Sequence, residues 1–141
     1  MILFVDEESR HMSSFVEELR RVGYEVEFQT GVDAASSAWA FLQANAAQVE
    51  LLILDVMMPP GVAFKEVNTE LGIRTGVRFF ERARQFLPNL PVIILTNVSD
   101  DKVKVRFEQE TNCLFLRKED YYPFELPAEV QKLFPGLEQT I

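Results

Sequence analysis

The polar groups that could do chemistry in this chain stand at the ends of apolar runs. Asp6 and Glu7 close ILFV, Asp55 closes LLIL, Thr96 closes VIIL and Lys118 closes CLFLR. Three carboxylates gathered within a few ångströms would repel, each close pair by roughly 4 kcal/mol at an effective dielectric of about 20. Such a group must hold protons or bind a cation. Its donors are hard oxygens, which suit Mg²⁺ better than zinc or copper. A carboxylate beside that ion can act as a nucleophile and accept a phosphoryl group. The transfer needs placement and charge neutralisation more than covalent help. Lys118 can supply a second positive charge, and the Thr96 hydroxyl can donate to a phosphoryl oxygen. These are the components of an aspartyl-phosphate site.

The elements that would position them follow from the pattern. Residues 2–5, 51–54, 92–95 and 114–116 are continuously apolar, as strands covered on both faces are. Residues 24–28 alternate more and suit a strand nearer the sheet edge. Met12, Phe15, Val16 and Leu19 make an apolar stripe at helical spacing, and Gly23 stops that helix. Thr30 with Asp33 reads as a capping box for a second helix that buries Ala35, Ala38, Trp39 and Leu42. Val77, Phe80, Ala83 and Leu87 line a third, ended by Pro88. Ser99 is placed to cap a fourth, with Asp100 and Asp101 against its dipole. Leu126, Val130, Leu133 and Phe134 support a short fifth. The β-α unit thus repeats five times, which demands a parallel sheet with right-handed crossovers. The expected class is α/β, a doubly wound five-stranded sheet in the order 2-1-3-4-5. That order sets the first and third strands side by side and brings Asp6, Glu7 and Asp55 into one crevice, where such sheets bind ligands.

Composition sets the outer limits. A chain of 141 residues suits one domain spanning 1–141 with a real core. Its net charge of −8 argues against phosphate backbones and anionic lipid, so neither nucleic acid nor membrane is an expected partner. Cys113 is the single cysteine, which excludes an internal disulfide and suits a reducing, cytoplasmic setting. No apolar run approaches membrane-spanning length.

The chain resembles the receiver domain of the two-component response-regulator family, with its flavodoxin-like fold. The resemblance runs from Ile2 to about Phe134. It rests on the acidic pair Asp6-Glu7 after strand 1, Asp55 with Met58-Pro59 after strand 3, Thr96 after strand 4 and Lys118 after strand 5. It implies a signalling domain rather than an enzyme, one that contributes to its own phosphorylation and dephosphorylation. Asp55 would be the phosphoacceptor, taking the group from a sensor histidine kinase or a histidine phosphotransfer protein and signalling to a downstream effector protein. Glu7 and Asp55 would hold Mg²⁺ with the backbone carbonyl of Met57, and Asp6 would act directly or through water. Thr96 and the strand-5 aromatic Phe115 would be the switch residues. Relatives often pair through the face of helix 4, strand 5 and helix 5, where Phe107, Tyr121, Tyr122 and Phe124 would lie, so a homodimer is one expectation.

Several positions depart from that pattern. The acidic pair is Asp-Glu rather than Asp-Asp, and Asn97 stands where a small residue is usual. Glu119 replaces the proline that ordinarily follows the lysine in a cis peptide, which leaves the placement of Lys118 open. Phe115 lacks the hydroxyl of the commoner tyrosine. The largest departure is an extended loop at about 60–75, PGVAFKEVNTELGIRT, between strand 3 and the glycine at 76. Loops of that length are often functional. Val62, Phe64 and Leu71 within it suggest a lid or a docking element, against the plainer reading of a surface excursion. A phosphorylation-independent receiver serving as a protein-interaction module is the alternative function. A flavodoxin-like electron carrier is disfavoured, because the turn DEES has acids where a flavin phosphate needs amides from Gly, Ser or Thr. Elsewhere plain readings are favoured: His11 is a surface residue, Cys113 and Trp39 belong to the core, and the acids at 17–18 and 100–101 lie on solvated helix faces.

Overall fold

The computed structural model describes residues 1–140. Strands β1 (Ile2–Val5), β2 (Val26–Gln29), β3 (Leu51–Leu54), β4 (Val92–Thr96) and β5 (Cys113–Arg117) alternate with helices α1 (Ser9–Arg21), α2 (Ala34–Ala44), α3 (Thr75–Phe86), α4 (Asp101–Glu108) and α5 (Leu126–Leu133). The strands form one sheet in the order β2-β1-β3-β4-β5. Every pairing is parallel. The expected doubly wound topology is therefore observed.

The continuously apolar strands alternate between two cores. Leu3, Val5, Leu52 and Leu54 face one side of the sheet with α2, α3 and α4. Ile2, Phe4, Leu51 and Ile53 face the other with α1 and α5. Both faces being covered is why no polar residue interrupts β1 or β3. The α1 stripe Met12, Phe15, Val16 and Leu19 is buried as its spacing requires. Gly23, at φ +102°, turns the chain out of that helix.

Helix caps differ from the sequence expectation at two places. Asp33 precedes α2 but makes no side-chain cap bond. Thr30 Oγ1 instead donates to the carbonyl of Glu7 at 3.3 Å, tying the loop after β2 to the tip of β1. At α4 the cap is Asp100, not Ser99: its Oδ1 accepts the N–H of Lys102 at 2.8 Å.

The 60–75 segment is folded onto the body. Phe64 is fully buried. Its ring stacks on Phe79 at 5.5 Å and meets Trp39 edge-on at 6.4 Å. The Arg82 guanidinium covers it, 4.1 Å from the ring centre. Arg82 also donates to the carbonyl of Ala63, and Ser36 Oγ accepts the N–H of Ala63 at 3.0 Å. The first half of the segment is thus a plug for the groove between α2 and α3, which corrects the use of Phe64 as a sign of a lid or docking element. Val62 and Leu71 do project into solvent. Phe107 is corrected likewise: it is fully buried, 5.1 Å from Phe80 and 6.2 Å from Phe115, because it lies on the inward side of α4. Tyr122 and Phe124 remain exposed and stack on each other at 5.7 Å.

Candidate functional site

The parallel register sets the strand tips level. Val5 lies opposite Leu54, and Thr96 lies opposite Arg117. Asp6, Asp55 and Lys118 are each the next residue along the chain. The backbone N–H of Asp55 donates to the carbonyl of Val5 at 3.1 Å, so the two aspartates leave neighbouring strands together.

Lys118 joins them. Its Nζ donates to Asp6 Oδ2 at 2.8 Å and to Asp55 Oδ2 at 3.2 Å. All three side chains are at least nine-tenths buried. Lys118 is therefore no solvated charge, and it reaches both carboxylates with Glu119 as its successor. The remaining oxygens are also engaged. Asp6 Oδ1 accepts the N–H of Glu8 at 2.9 Å, and Asp55 Oδ1 accepts the N–H of Val56 at 2.7 Å.

Burial decides the charge state. Desolvation, reinforced by Asp55 and opposed by Lys118, pushes the Asp6 carboxyl up to about 6. Glu7 moves up too, from burial first and then from Asp55 and Glu8. At Lys118 burial works against the ammonium, but the charges of Asp55 and Asp6 outweigh it and hold the amine above its ordinary range. The lysine thus stays charged, and Asp6 is the carboxylate whose ionisation burial opposes.

A pocket of about 130 Å³ opens over this cluster, lined by Glu7, Glu8, Asp55, Met57, Thr96, Asn97, Val98 and Lys118. That is space for a few waters, each of which occupies about 30 Å³ in the liquid. Glu7 and Asp55 line it, whereas Asp6 does not. Among the described residues, no three His, Cys, Asp or Glu side chains form a ready-made metal cluster. The expected convergence of three carboxylates is realised as two aspartates bridged by an ammonium, with Glu7 in the pocket wall. The lysine takes the place between the two anions and offsets their repulsion. The donor set still suits a hard divalent ion, since Mg²⁺ needs only one or two carboxylates and keeps several waters.

Thr96 is fully buried as a residue, and its Oγ1 accepts the N–H of Val98 at 3.2 Å. Phe115 is half-buried and packs inward on Phe107. His11 is exposed, on the rim of a neighbouring groove that also includes Lys118 and Tyr121. Glu8 was not singled out from the sequence, because a third acid in a row reads as the start of a solvated helix. Gly76 matters more than its place after the loop suggests. A Cβ there would lie 2.0 Å from the carbonyl oxygen of Asp55.

Cys113 lies beside the core rather than in it, and burial pushes its thiol up to about 12. It should resist alkylation at pH 8 in the native state and react at the rate of a free thiol once urea unfolds the chain. Equal rates in the two states would contradict this placement.

No protein-family model matches the chain. No curated protein matches it either. Among solved structures, it is similar to the receiver domain of NtrX from Brucella abortus, with TM-score 0.72, 20% identity and coverage of 96% of this chain and 99% of that one. It is similar to the chemotaxis protein CheY4 of Vibrio cholerae, with TM-score 0.70, 23% identity and coverage of 94% and 97%. The Mn²⁺-bound form of response regulator Rcp1 matches at TM-score 0.65 and 23% identity, over 99% and 96% of the two chains. The fold is that of response-regulator receiver domains.

Proposed function

We propose that this receiver-fold chain is a phosphoacceptor switch, in which Asp55 takes a phosphoryl group from a histidine kinase or histidine phosphotransfer protein and the changed surface is read by an effector protein. The observation that carries the reading is the Lys118 ammonium held between Asp6 and Asp55 beneath a small pocket that Thr96 also lines.

The chemistry follows from these groups. An oxygen of Asp55 bonds to phosphorus as the bond from phosphorus to the donor imidazole breaks, and the imidazole leaves as the neutral base after taking up a proton. Lys118 can turn from the carboxylate to the incoming phosphoryl oxygens. The Thr96 hydroxyl can follow by giving up Val98. Glu7, Asp55 and the Met57 carbonyl are the groups that would hold Mg²⁺, with Asp6 beneath them acting through water or through Lys118. The ion, when bound, neutralises the negative charge that gathers between carboxylates and phosphoryl oxygens. Rcp1, a neighbour in fold, has been crystallised in a Mn²⁺-bound form, which supports a divalent ion as part of this reading. The domain is a signalling element that assists its own phosphorylation and hydrolysis, not an enzyme acting on a separate substrate. No helix among the described residues is long and apolar enough to cross a membrane.

The test is intact mass after incubation with Mg²⁺ and a small acyl phosphate. A single phosphoryl adduct is expected, lost in Asp55→Asn and lost when EDTA replaces the metal. A folded protein that takes no adduct would make the chain a phosphorylation-independent interaction module instead.

A further inference from the structure

Arg74 closes the 60–75 segment and reaches across to α4. Its Nη2 donates to Asp100 Oδ2 at 2.7 Å. The same guanidinium pairs with Glu70. Glu70 and Leu71 both take left-handed backbone conformations, at φ 53° and 61°. That costs free energy for residues with a Cβ. Leu71 is fully exposed, so packing does not account for the turn. Backbone bonds do: Arg74 N–H donates to the Thr69 carbonyl at 2.9 Å, and Met58 N–H donates to the Gly72 carbonyl at 3.1 Å. The turn is thereby anchored to the stretch just after Asp55 and holds Arg74 out toward α4.

The other end of the contact bears on the site. Asp100 is the N-cap of α4, and only residues 97–99 separate it from Thr96. Asp100 is held below the usual carboxylate range by the Lys102 N–H and by Arg74. Beneath the ion pair runs a groove of about 320 Å³, bordered by Met57, Ile73, Arg74, Val98 and Val103. Met57 and Val98 border the pocket over Asp55 as well. Thr96 Oγ1 accepts the N–H of Val98 within the connection from Asn97 to Asp100, so turning toward a phosphoryl group releases a bond to a segment whose far end is tied down.

We propose that Arg74 is a positioning residue that clamps the β4–α4 connection through Asp100, so that the 60–75 segment sets how readily Thr96 can move to a phosphoryl group. This rests on the phosphoacceptor reading for its consequence, but not for its mechanics. A part-exposed ion pair of this kind changes an equilibrium by up to about fivefold.

The experiment is a double-mutant cycle on Arg74→Gln and Asp100→Asn, since Asn caps a helix as well as Asp does. Amide hydrogen exchange is followed without any phosphoryl donor. Each single variant is expected to speed exchange about three- to fivefold in both segments, 69–74 and 97–103, and the double variant no further. Loosening confined to the mutated segment, or additive effects, would overturn the clamp. In parallel, adduct formation with Mg²⁺ and a small acyl phosphate is expected to quicken by a similar factor in all three variants. Coupled exchange with unchanged uptake would overturn the control of Thr96. If the wild type itself takes no adduct, the phosphoacceptor reading fails, and the exchange data still decide the clamp.

Discussion

Lys118→Met is expected to destabilise the protein by about 3 kcal/mol at pH 7 in EDTA, the lower end for removing one partner of a buried ion pair. It is also expected to remove detectable phosphoryl uptake from a small donor. The stability loss follows from what remains behind. Asp6 and Asp55 are both buried, their Oδ2 atoms share one ammonium, and no other cation contacts them among the described residues. The pH dependence has a definite sign. Asp6 already sits at about 6 against an unfolded value of 3.8, so the folded state holds its proton more tightly than the unfolded chain does. Stability from this group is greatest below the unfolded value and declines as pH rises through the folded one. Removing the lysine raises the folded value further, so the deficit of the variant should be small near pH 4, open as pH passes about 6, and reach its full size above the variant's own raised value. Urea melts from pH 4 to pH values well above that wild-type value measure it. Because a divalent cation can replace the missing charge, Mg²⁺ should return part of the stability without returning uptake. A variant as stable as the wild type at every pH would mean that the lysine is not what balances the aspartates.

The strand tips were legible because two simple patterns coincide there. An apolar run with no polar break reads as a strand covered on both faces, and the first polar residue after it marks the tip. Asp6, Asp55 and Thr96 are those residues, while Lys118 comes one place later, after Arg117; for Asp6, Asp55 and Lys118 the structure adds the distances. What did not show was contact between distant segments. Phe64 in a polar loop read as a docking residue, since nothing local reveals that Trp39, Phe79 and Arg82 form a slot for it. Phe107 read as a surface aromatic for the same reason, α4 being too short for its apolar face to declare itself. Arg74 carried no signal at all. An arginine before a helix is ordinary until Asp100 is found 2.7 Å away. The caps erred by one residue or by partner, because Ser99 and Asp100 are both good cap formers and only the backbone angle chooses between them.

The site also depends on an atom that is missing by design of the sequence, and Gly76→Ala should expose that dependence. The variant is expected to lose about 3 kcal/mol, the upper end for overpacking, because the obstruction is backbone rather than a side chain that could turn aside. The α3 N-terminus comes so close to the end of β3 that the Gly76 N–H donates to the Val56 carbonyl at 2.8 Å. An added Cβ would lie 2.0 Å from the Asp55 carbonyl oxygen and 2.6 Å from the Val56 Cα. Ordinary Cβ contacts begin near 3.4 Å, so either α3 must lift or the Asp55 peptide must move. Moving that peptide disturbs the Val56 N–H that steadies Asp55 Oδ1 and the grip of Lys118 on Oδ2. Phosphoryl uptake should therefore fall at temperatures where the variant is still folded, by more than its stability alone explains. Gly136→Ala is the control, since its added carbon meets nothing within 4 Å. It should leave the urea midpoint within experimental scatter of the wild type. If Gly76→Ala behaved like that control in both melts and uptake, the close approach of α3 to Asp55 would not be what sets the acceptor in place.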